Sequence, residues 1–209
     1  ELLLTLETLE RDGFIVIRNV FTESECDNIV SRLDQGHHAH SDLMWSIRTD
    51  PRILEIFYKI WQTENIITGY DGIGIKKASS KRGLDWHVDQ DPFNAPGKVC
   101  VQAMLAFSES NITEFAVGSH LYHQNLTRNC TEPQEWQFIN IPEDTLISFF
   151  KFKPHLNKGD LIVWDSRLSH RVVPNENAKK ERVVAYLSFA PLMYADKETL
   201  KKRRELYNL

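Results

Sequence analysis

Residues 83–92 read GLDWHVDQDP, and this stretch decides how the fold is interpreted, because the chain changes there from helical to strand-like patterns. Two of its residues, His87 and Asp89, are two positions apart. Residues at i and i+2 of a strand point to the same face, so both side chains could bind one metal ion. Such a pair is also common by chance as a surface or hydrogen-bonded pair. It therefore predicts a metal site only if a third ligand comes from elsewhere in the chain.

The sequence before this stretch is predicted to be largely helical. The elements expected there are helices over residues 1–12, 23–35 and 51–61 and one strand, GFIVIRNV, over residues 13–20. The second helix begins with a capping box formed by Thr22 and Glu25. The third begins at Asp50 and Pro51, with aspartate as the cap and proline in the first turn.

The sequence from residue 64 onwards is predicted to be mostly strands, rich in β-branched and aromatic residues and separated by Gly, Pro, Asn and Asp. The predicted strands cover residues 64–77, 97–107, 113–120, 135–141, 159–165 and 182–191, and a helix closes the chain at 196–206. Helices followed by many strands, without regular helical crossovers, argue against a Rossmann or TIM arrangement. The order favours a mainly β fold with flanking helices (α+β), built as an antiparallel double sheet or barrel.

Length and composition restrict the possible classes. The chain has 209 residues, 42% of them hydrophobic, which suits one domain: helical support over about 1–61, a barrel over about 64–191 and the final helix. A net charge of −4 gives no reason to expect a nucleic-acid partner. The longest apolar runs have the length of strands, so no membrane span is expected, and the acidic N-terminal stretch does not resemble a signal peptide. We expect a monomer or weak dimer.

The cysteines indicate a reducing compartment. Cys26, Cys100 and Cys130 are an odd, sparse set without CxxC spacing. Such usage is typical of reduced thiols, so we expect a cytoplasmic protein.

His170 is the best candidate for the third ligand. It lies in GDLIVWDSRLSHRVVPN, residues 159–175, between a predicted strand and a Pro-Asn turn. Two histidines and a carboxylate form the facial triad of non-haem Fe(II) oxygenases, which leaves three coordination positions open. A structural zinc site would instead fill four positions with protein ligands. The other histidines are more readily read as loop or structural residues: His37, His38, His40, His120, His123 and His155.

Arg182 strengthens the oxygenase hypothesis. It begins the predicted strand RVVAYLSF, twelve residues after His170. An oxo-acid cosubstrate such as 2-oxoglutarate has a distal carboxylate that must be held in an apolar pocket, and the planar fork of arginine suits it. Alone, an arginine that opens a strand is more often a solvated edge residue.

These segments together resemble a known family. The quoted stretches, with LERDGFIVIRNVFTESECDNIVSRLD (residues 9–34), VQAMLAFSES (101–110) and TEFAVGSHLYH (113–123), make nearly the whole chain similar to the phytanoyl-CoA dioxygenase-like group of Fe(II)/2-oxoglutarate oxygenases. The resemblance implies a double-stranded β-helix, a jelly-roll, cupin-like barrel braced by helices. Two departures are Thr113-Glu114-Phe115, where a glycine pair is more usual, and Arg171, where many relatives have a small residue.

The resemblance also implies roles for individual residues. His87, Asp89 and His170 would bind Fe(II), and Arg182 would pair with the C5 carboxylate of 2-oxoglutarate, with dioxygen as the other cosubstrate. The resemblance further places Gln102 and Lys77 at the cosubstrate's C1 end. Gln102 could instead be an inward-facing polar core residue, Lys77 a solvated strand end, and Lys76 is a rival for the lysine's role.

The expected activity is hydroxylation, or another oxidation, of a small-molecule substrate with release of succinate and CO2. The intact aspartate argues against a halogenase. One alternative is a catalytically silent module that binds metal and 2-oxoglutarate. A less favoured alternative is a zinc hydrolase with the same ligands, for which Asp91 might serve as the acid–base group.

The substrate itself is not predicted. Two loops, 45–48 and 91–97, are expected to cover the barrel mouth. Candidate substrate residues are Arg48, Tyr70, Trp86, Phe93 and Arg167, with Trp164 as a further flanking residue. Core packing is an equal or better explanation for each aromatic residue, and a protein carboxylate is an equally plausible partner for each arginine.

Overall fold

The computed structural model describes residues 2–33, 38–69, 71–93, 95–130, 138–175 and 179–207. The fold is a double-stranded β-helix, with two antiparallel sheets facing each other and helices packed on the outer face of the larger sheet. This confirms the predicted fold class.

Six α-helices are described. They are α1 (Leu2–Asp12), α2 (Glu23–Ser31), α3 (Asp42–Arg48), α4 (Pro51–Trp61), α5 (His123–Thr127) and α6 (Lys197–Tyr207). Short 3-10 helices occur at His38–His40, Ser119–Tyr122, Glu143–Leu146 and Leu192–Tyr194.

The strands of the two sheets come from residues 14–191. They are β1 (Phe14–Ile17), β2 (Ile66–Thr68), β3 (Ile73–Lys76), β4 (Leu84–Val88), β5 (Val101–Ala106), β6 (Thr113–Ala116), β7 (Ile139–Asn140), β8 (Lys151–Phe152), β9 (Leu161–Asp165), β10 (His170–Val172) and β11 (Arg182–Pro191). The larger sheet has the order β1-β9-β5-β11-β2, with β3 also paired to β11, and the smaller sheet has the order β7-β4-β10-β6-β8.

Strand alternation divides the larger sheet into two apolar faces. Along β5, Val101, Ala103 and Leu105 pack in the layer that also contains α2, α3 and α4, while Met104 and Ala106 face the smaller sheet. This is the period-two pattern that a sheet buried on both faces requires. The inner face of the barrel is therefore lined by alternate residues of β5, β9 and β11.

Aromatic packing joins the two sheets inside the barrel. Phe115 of β6 stacks on Phe14 of β1, with ring centroids 4.9 Å apart, and it also lies 5.9 Å from the Trp164 ring of β9. The outer face of the smaller sheet has its own apolar cluster, which includes Trp86, Val88 and Ile139. The barrel interior thus has fixed apolar walls near the ends of β4 and β10.

Several predicted elements match the structure closely. The helix expected over 51–61 and the strand expected over 182–191 have those bounds, and the capping box of Thr22 and Glu25 is present at the start of α2. Residues 34–35 of the expected second helix and residues 135–137 of the expected fourth strand lie outside the described residues.

Other predictions need correction. Residues 64–77 form two strands, β2 and β3, rather than one, and both pair with β11. The strand expected over 113–120 stops at Ala116, since Gly118 has a left-handed φ of 76° and a 3-10 helix follows. Residues 45–48, expected as a loop over the mouth, belong to α3. Ser41 caps that helix by accepting the Met44 N–H at 3.2 Å.

None of the described helices has the length and apolar character needed to cross a membrane. Cys26, Cys100 and Cys130 are all free thiols.

Candidate metal centre

Three predicted ligands meet where the two sheets face each other. His170 on β10 is paired in register with His87 on β4, and Asp89 follows the end of β4. One ligand-capable atom from each residue lies within 4.8 Å of the others. The Nε2 atoms of His87 and His170 lie 3.7 and 3.4 Å from the two carboxylate oxygens of Asp89. Register pairing explains how side chains far apart in sequence reach one point.

The backbone fixes how both imidazole rings are oriented. Nδ1 of His87 lies 2.7 Å from the carbonyl oxygen of Asp85, and Nδ1 of His170 lies 3.0 Å from that of Leu168. A carbonyl oxygen only accepts hydrogen bonds, so each Nδ1 carries the proton. Each Nε2 then presents its lone pair to the space beside Asp89, which is the arrangement that metal-bound histidines require.

The environment keeps His87 neutral. Its pKa is lowered to about 4, chiefly by burial and also by the nearby His170, against the opposing attraction of Asp89. The ring is therefore unprotonated at neutral pH, and the neutral ring is the form that binds metals. Aromatic rings of Phe115 and Trp164 lie 5.9 and 5.7 Å from the His170 ring, so one side of the site is dry.

Gln102 orients the carboxylate of Asp89, the carboxylate member of the three candidate ligands. Its Nε2 donates a hydrogen bond of 2.9 Å to Oδ2 of Asp89. Its Oε1 is buried and has no partner among the described atoms. A buried acceptor without a partner is costly, so this oxygen has capacity for a donor on a bound molecule. The predicted contact of Gln102 with the cosubstrate stays a prediction.

Arg182 is a buried cation without a protein carboxylate. It is 4% exposed, and it donates to Ser110 Oγ at 2.9 Å, to Tyr186 OH at 3.2 Å and to the sulfur of Met104 at 2.6 Å. No ion pair between described residues includes it. An uncompensated buried charge is unfavourable, so the surroundings of Arg182 fit an anionic ligand inside the barrel.

The two candidate lysines differ in position. Lys76 pairs in register with Arg182 and is partly buried, and its Nζ lies 3.4 Å from the carbonyl oxygen of Val173. Burial and the charge of Arg182 lower the pKa of Lys76. Lys77 is exposed and follows the end of β3. The geometry favours Lys76 over Lys77 as the lysine beside Arg182.

The structure does not bring the two other candidate arginines to the metal ligands. Arg48 is 1% exposed and donates to the backbone carbonyls of Ala39, at 2.5 Å, and Asp71. Arg167 forms a two-point ion pair with Asp165, at 3.0 and 2.8 Å. Both contacts are structural, because Arg48 joins the segments of Ala39 and Asp71 to α3 and Arg167 closes a local turn with Asp165.

The aromatic candidates are divided. Trp86 lies on the face of β4 opposite His87, in the outer apolar cluster of the smaller sheet. Phe93 is 47% exposed in the 91–97 loop, and Tyr70 lies outside the described residues. The departure at Arg171 has a simple reason: its side chain points away from His170, pairs with Glu114 at 2.6 Å and covers Trp86.

Two residues of the site were not predicted. The Phe138 ring packs 4.8 Å from the His87 ring, because Phe138 lies just before the edge strand β7 that pairs with β4. Gln90, which is 5% exposed, donates to the carbonyl oxygens of Ala95 and Gly97 and accepts from Ser166 at 2.6 Å, so it holds the 91–97 loop. Only the position of Gln90 next to Asp89 could have drawn attention to it.

Comparison with protein families gives one match over most of the chain. The family model described as phytanoyl-CoA dioxygenase (PhyH) matches residues 30–184. Among curated proteins, Ava biosynthesis cluster protein O of Aspergillus versicolor is 26% identical over 186 residues, covering 79% of this chain. The chain spans about 60% of the length of that relative.

Solved structures share the fold at low sequence identity. The epimerase SnoN, in complex with Fe3+, alpha ketoglutarate and nogalamycin RO, has a TM-score of 0.69 and 16% identity, covering 90% of this chain and 83% of its own. EctD from S. alaskensis, with 2-oxoglutarate and 5-hydroxyectoine, has a TM-score of 0.70 and 14% identity, covering 90% and 75%. AviO1 from Streptomyces viridochromogenes Tue57 has a TM-score of 0.67 and 14% identity, covering 91% of this chain and 95% of its own.

Proposed function

This chain belongs to the phytanoyl-CoA dioxygenase family, and from that premise we propose that it is an Fe(II)- and 2-oxoglutarate-dependent dioxygenase. Its proposed reaction is hydroxylation, or another oxidation, of a small-molecule substrate with release of succinate and CO2. The single observation that carries the proposal is the meeting of His87, Asp89 and His170, with both Nε2 atoms turned to the carboxylate. The cofactor and cosubstrates would be Fe(II), 2-oxoglutarate and O2.

The residues present fit these groups. Two neutral imidazoles and one carboxylate are the donor set of a facial-triad iron site, which keeps positions open for other ligands. Arg182 would take the C5 carboxylate, since it is a buried guanidinium without an anionic partner. SnoN, EctD and the related complex of EvdO2 from Micromonospora carbonacea var. aurantiaca with 2-oxoglutarate are solved with this cosubstrate.

The chain's own residues hold the ligand side chains and the guanidinium of Arg182 in fixed orientations. His87 and His170 are held by backbone carbonyls, and Gln102 holds the carboxylate of Asp89. Ser110 and Tyr186 fix the guanidinium of Arg182. The chemistry that iron supplies when bound is activation of dioxygen, coupled to oxidative decarboxylation of 2-oxoglutarate. Rigid placement of the ligands is the protein's contribution to that chemistry.

The nature of the oxidation is part of the proposal. SnoN is an epimerase, so proteins of this fold do not all hydroxylate. The relative from Aspergillus versicolor is a biosynthesis cluster protein, which supports a small-molecule substrate. Phe93 lies exposed in the 91–97 loop and stays a candidate substrate residue. Phe138, whose ring contacts His87, is a further candidate.

Two alternatives remain. A silent binding module would bind Fe(II) and 2-oxoglutarate without turnover. A zinc hydrolase would need a free acid–base group, and the candidate Asp91 already accepts the Phe93 N–H at 2.8 Å. Succinate formation that depends on iron and ascorbate, measured first without and then with a panel of metabolites, identifies the oxygenase. Binding of 2-oxoglutarate without succinate formation then separates the silent module from the zinc hydrolase.

The ligand assignment is tested with His170→Ala, for which His155→Ala is the matched control. His155 is half exposed, and its nearest acid is Glu109. We expect no iron-dependent succinate from His170→Ala and wild-type levels from His155→Ala. Unchanged turnover in His170→Ala would refute the assignment.

The setting of the protein stays a prediction. We propose that the chain is one oxygenase domain, that it acts as a monomer or weak dimer, and that its three free thiols reflect a reducing, cytoplasmic compartment.

A further inference from the structure

A cavity of about 750 Å³ opens between β3 and the beginning of β4, and its wall is strongly basic. The lining includes Lys76, Lys77, Lys81, Arg82 and Arg182 and no acidic side chain. The whole protein has a net charge of −4, so the local excess of positive charge is opposite to the overall balance. A cavity lined by one sign of charge concentrates ions of the opposite sign.

These five cations lack acidic partners in the described part of the chain. No ion pair between described residues joins any of them to an aspartate or glutamate. Lys76 and Arg182 pair in register on adjacent strands, so their like charges repel; burial and the charge of Arg182 both lower the pKa of Lys76. An anion entering the cavity would relieve that repulsion.

The loop that carries the outer cations is held in place. The Asn175 N–H donates to the Ser80 carbonyl oxygen at 2.8 Å, and the Ser80 N–H donates to that of Lys77 at 3.3 Å. Gly83 lies so close to β10 that an added Cβ would come within 2.8 Å of the Val172 carbonyl oxygen. The backbone around Lys81 and Arg82 is thus fixed against the smaller sheet.

The cavity and the metal ligands lie towards different ends of β11. Arg182, at the first residue of β11, forms the inner end of the cavity together with Tyr186. Ser188, further along β11, pairs with Gln102, which contacts Asp89. The guanidinium of Arg182 donates to the sulfur of Met104, which lies two residues from Gln102 on β5, a rise of about 7 Å. The cavity can therefore reach Arg182 without passing the metal ligands.

We infer that this cavity is the entrance by which the dicarboxylate cosubstrate reaches Arg182, with Lys77, Lys81 and Arg82 as its electrostatic rim. The inference rests on the proposed function, because 2-oxoglutarate is the anion which that function requires. The exposed rim attracts the dianion, its keto-acid end passes on towards the metal ligands, and Lys76 and Arg182 retain the trailing C5 carboxylate. The primary substrate approaches the metal from the other end of β11.

The electrostatic part is tested by replacing Lys77, Lys81 and Arg82 together with glutamine. The association rate of 2-oxoglutarate is measured by anaerobic stopped-flow absorbance on Fe(II)-loaded protein. At low ionic strength we expect association to slow by roughly tenfold, with little change in dissociation. In about 1 M salt, where the Debye length is about 3 Å, the difference should largely disappear.

The control replaces Lys197, Lys201 and Lys202 of α6 with glutamine, which changes the net charge equally outside the cavity. Equal association rates in the cavity variant and the α6 variant would overturn the inference while leaving the proposed function intact. A wild-type protein that binds no 2-oxoglutarate would overturn both.

The route itself is tested by a steric plug. Lys77→Cys is labelled with a bulky maleimide, and wild type treated in the same way controls for the native thiols. Narrowing an entrance should slow association and dissociation by the same factor and leave the equilibrium constant unchanged. Labelling that leaves both rates at the wild-type values would exclude this route.

Discussion

At the residue scale, Arg182 is a buried positive charge without an acidic partner, and such a charge is available to bind an anionic ligand. It is as buried as a core residue but has only neutral hydrogen-bond partners. Arg167 provides the contrast, since its charge is matched by the buried carboxylate of Asp165. A cation kept without an acid is available to a ligand, whereas a paired one holds the structure together.

Replacing each arginine by methionine should change the unfolding free energy by different amounts. For Arg182→Met we expect an unfolding free energy within about 1 kcal/mol of wild type, because an unpaired buried charge is removed. Affinity for 2-oxoglutarate should fall by about 10²-fold or more, since a buried charged hydrogen bond is lost. Urea unfolding and 2-oxoglutarate titration measure the two effects.

Arg167→Met is the control. It leaves Asp165 buried and unpaired, so we expect a loss of about 3–5 kcal/mol in unfolding free energy, with 2-oxoglutarate affinity retained. If the two variants lost equal stability and both kept 2-oxoglutarate affinity, Arg182 would be a structural residue.

Gln102→Leu tests whether the amide orients the carboxylate of Asp89. Loss of a hydrogen-bond partner of a ligand typically weakens metal binding, so we expect Fe(II) affinity to fall about 10–100-fold. Ser188→Ala is a suitable control, because Ser188 is the register partner of Gln102 but bonds Asp71. Anaerobic Fe(II) titration gives both affinities. Wild-type affinity in Gln102→Leu would rule out the orienting role.

The sequence predicted the three side chains that meet but not the groups that orient them. The His-x-Asp spacing, a later histidine and the family resemblance together indicated His87, Asp89 and His170. The carbonyl oxygens of Asp85 and Leu168, which orient the rings, belong to backbone groups that every residue has, so no residue type marks them. Contacts such as Gln102 to Asp89 depend on how β4 and β5 face each other across the barrel, which local spacing does not specify.

At the element scale, the capping box of α2 predicts how stability responds to acid. The Arg52 guanidinium, with the backbone and hydroxyl of Thr22, lowers the pKa of Glu25 from 4.5 to about 2. Its contribution to stability is therefore complete above pH 4.5 and is lost as the pH falls towards 2. The ion pair is solvent-exposed, so the contribution should stay below about 1 kcal/mol.

Glu25→Gln keeps a side chain that can complete the capping box but removes the charge. We expect the variant to be slightly less stable than wild type at pH 7 and to lose less stability between pH 4.5 and 2. Urea unfolding across this range checks the expectation, and Glu23→Gln in the same turn controls for charge removal alone. If the unfolding free energies of wild type and Glu25→Gln changed with pH in parallel, this expectation would be contradicted.

Element boundaries were predicted best where local chemistry marks them. Pro51 and its Asp50 cap fixed the start of α4, and Thr22 fixed the start of α2. The helix α3 was missed because it is short, and its stability depends on burying Leu43, Met44 and Ile47 against the larger sheet. Tertiary packing of this kind is not encoded in a local pattern.

For the whole molecule, the order of helices and strands and the family resemblance predicted the fold class, while sheet partners were not predictable. The ten residues of β11 pair with β5 on one side and successively with β3 and β2 on the other. Alternation shows which residues share a face but not which strand lies beside them. That pairing sets Arg182 against Lys76 and creates the basic cavity.

The proposed function requires His87, Asp89 and His170 to bind a single iron ion together. Anaerobic Fe(II) titration of wild type, His170→Ala and the control His155→Ala, followed by calorimetry, tests this without any substrate. We expect one tightly bound Fe(II) per chain in wild type and in His155→Ala, and a loss of affinity of at least about 10²-fold in His170→Ala. Tight, wild-type binding of one Fe(II) by His170→Ala would contradict it.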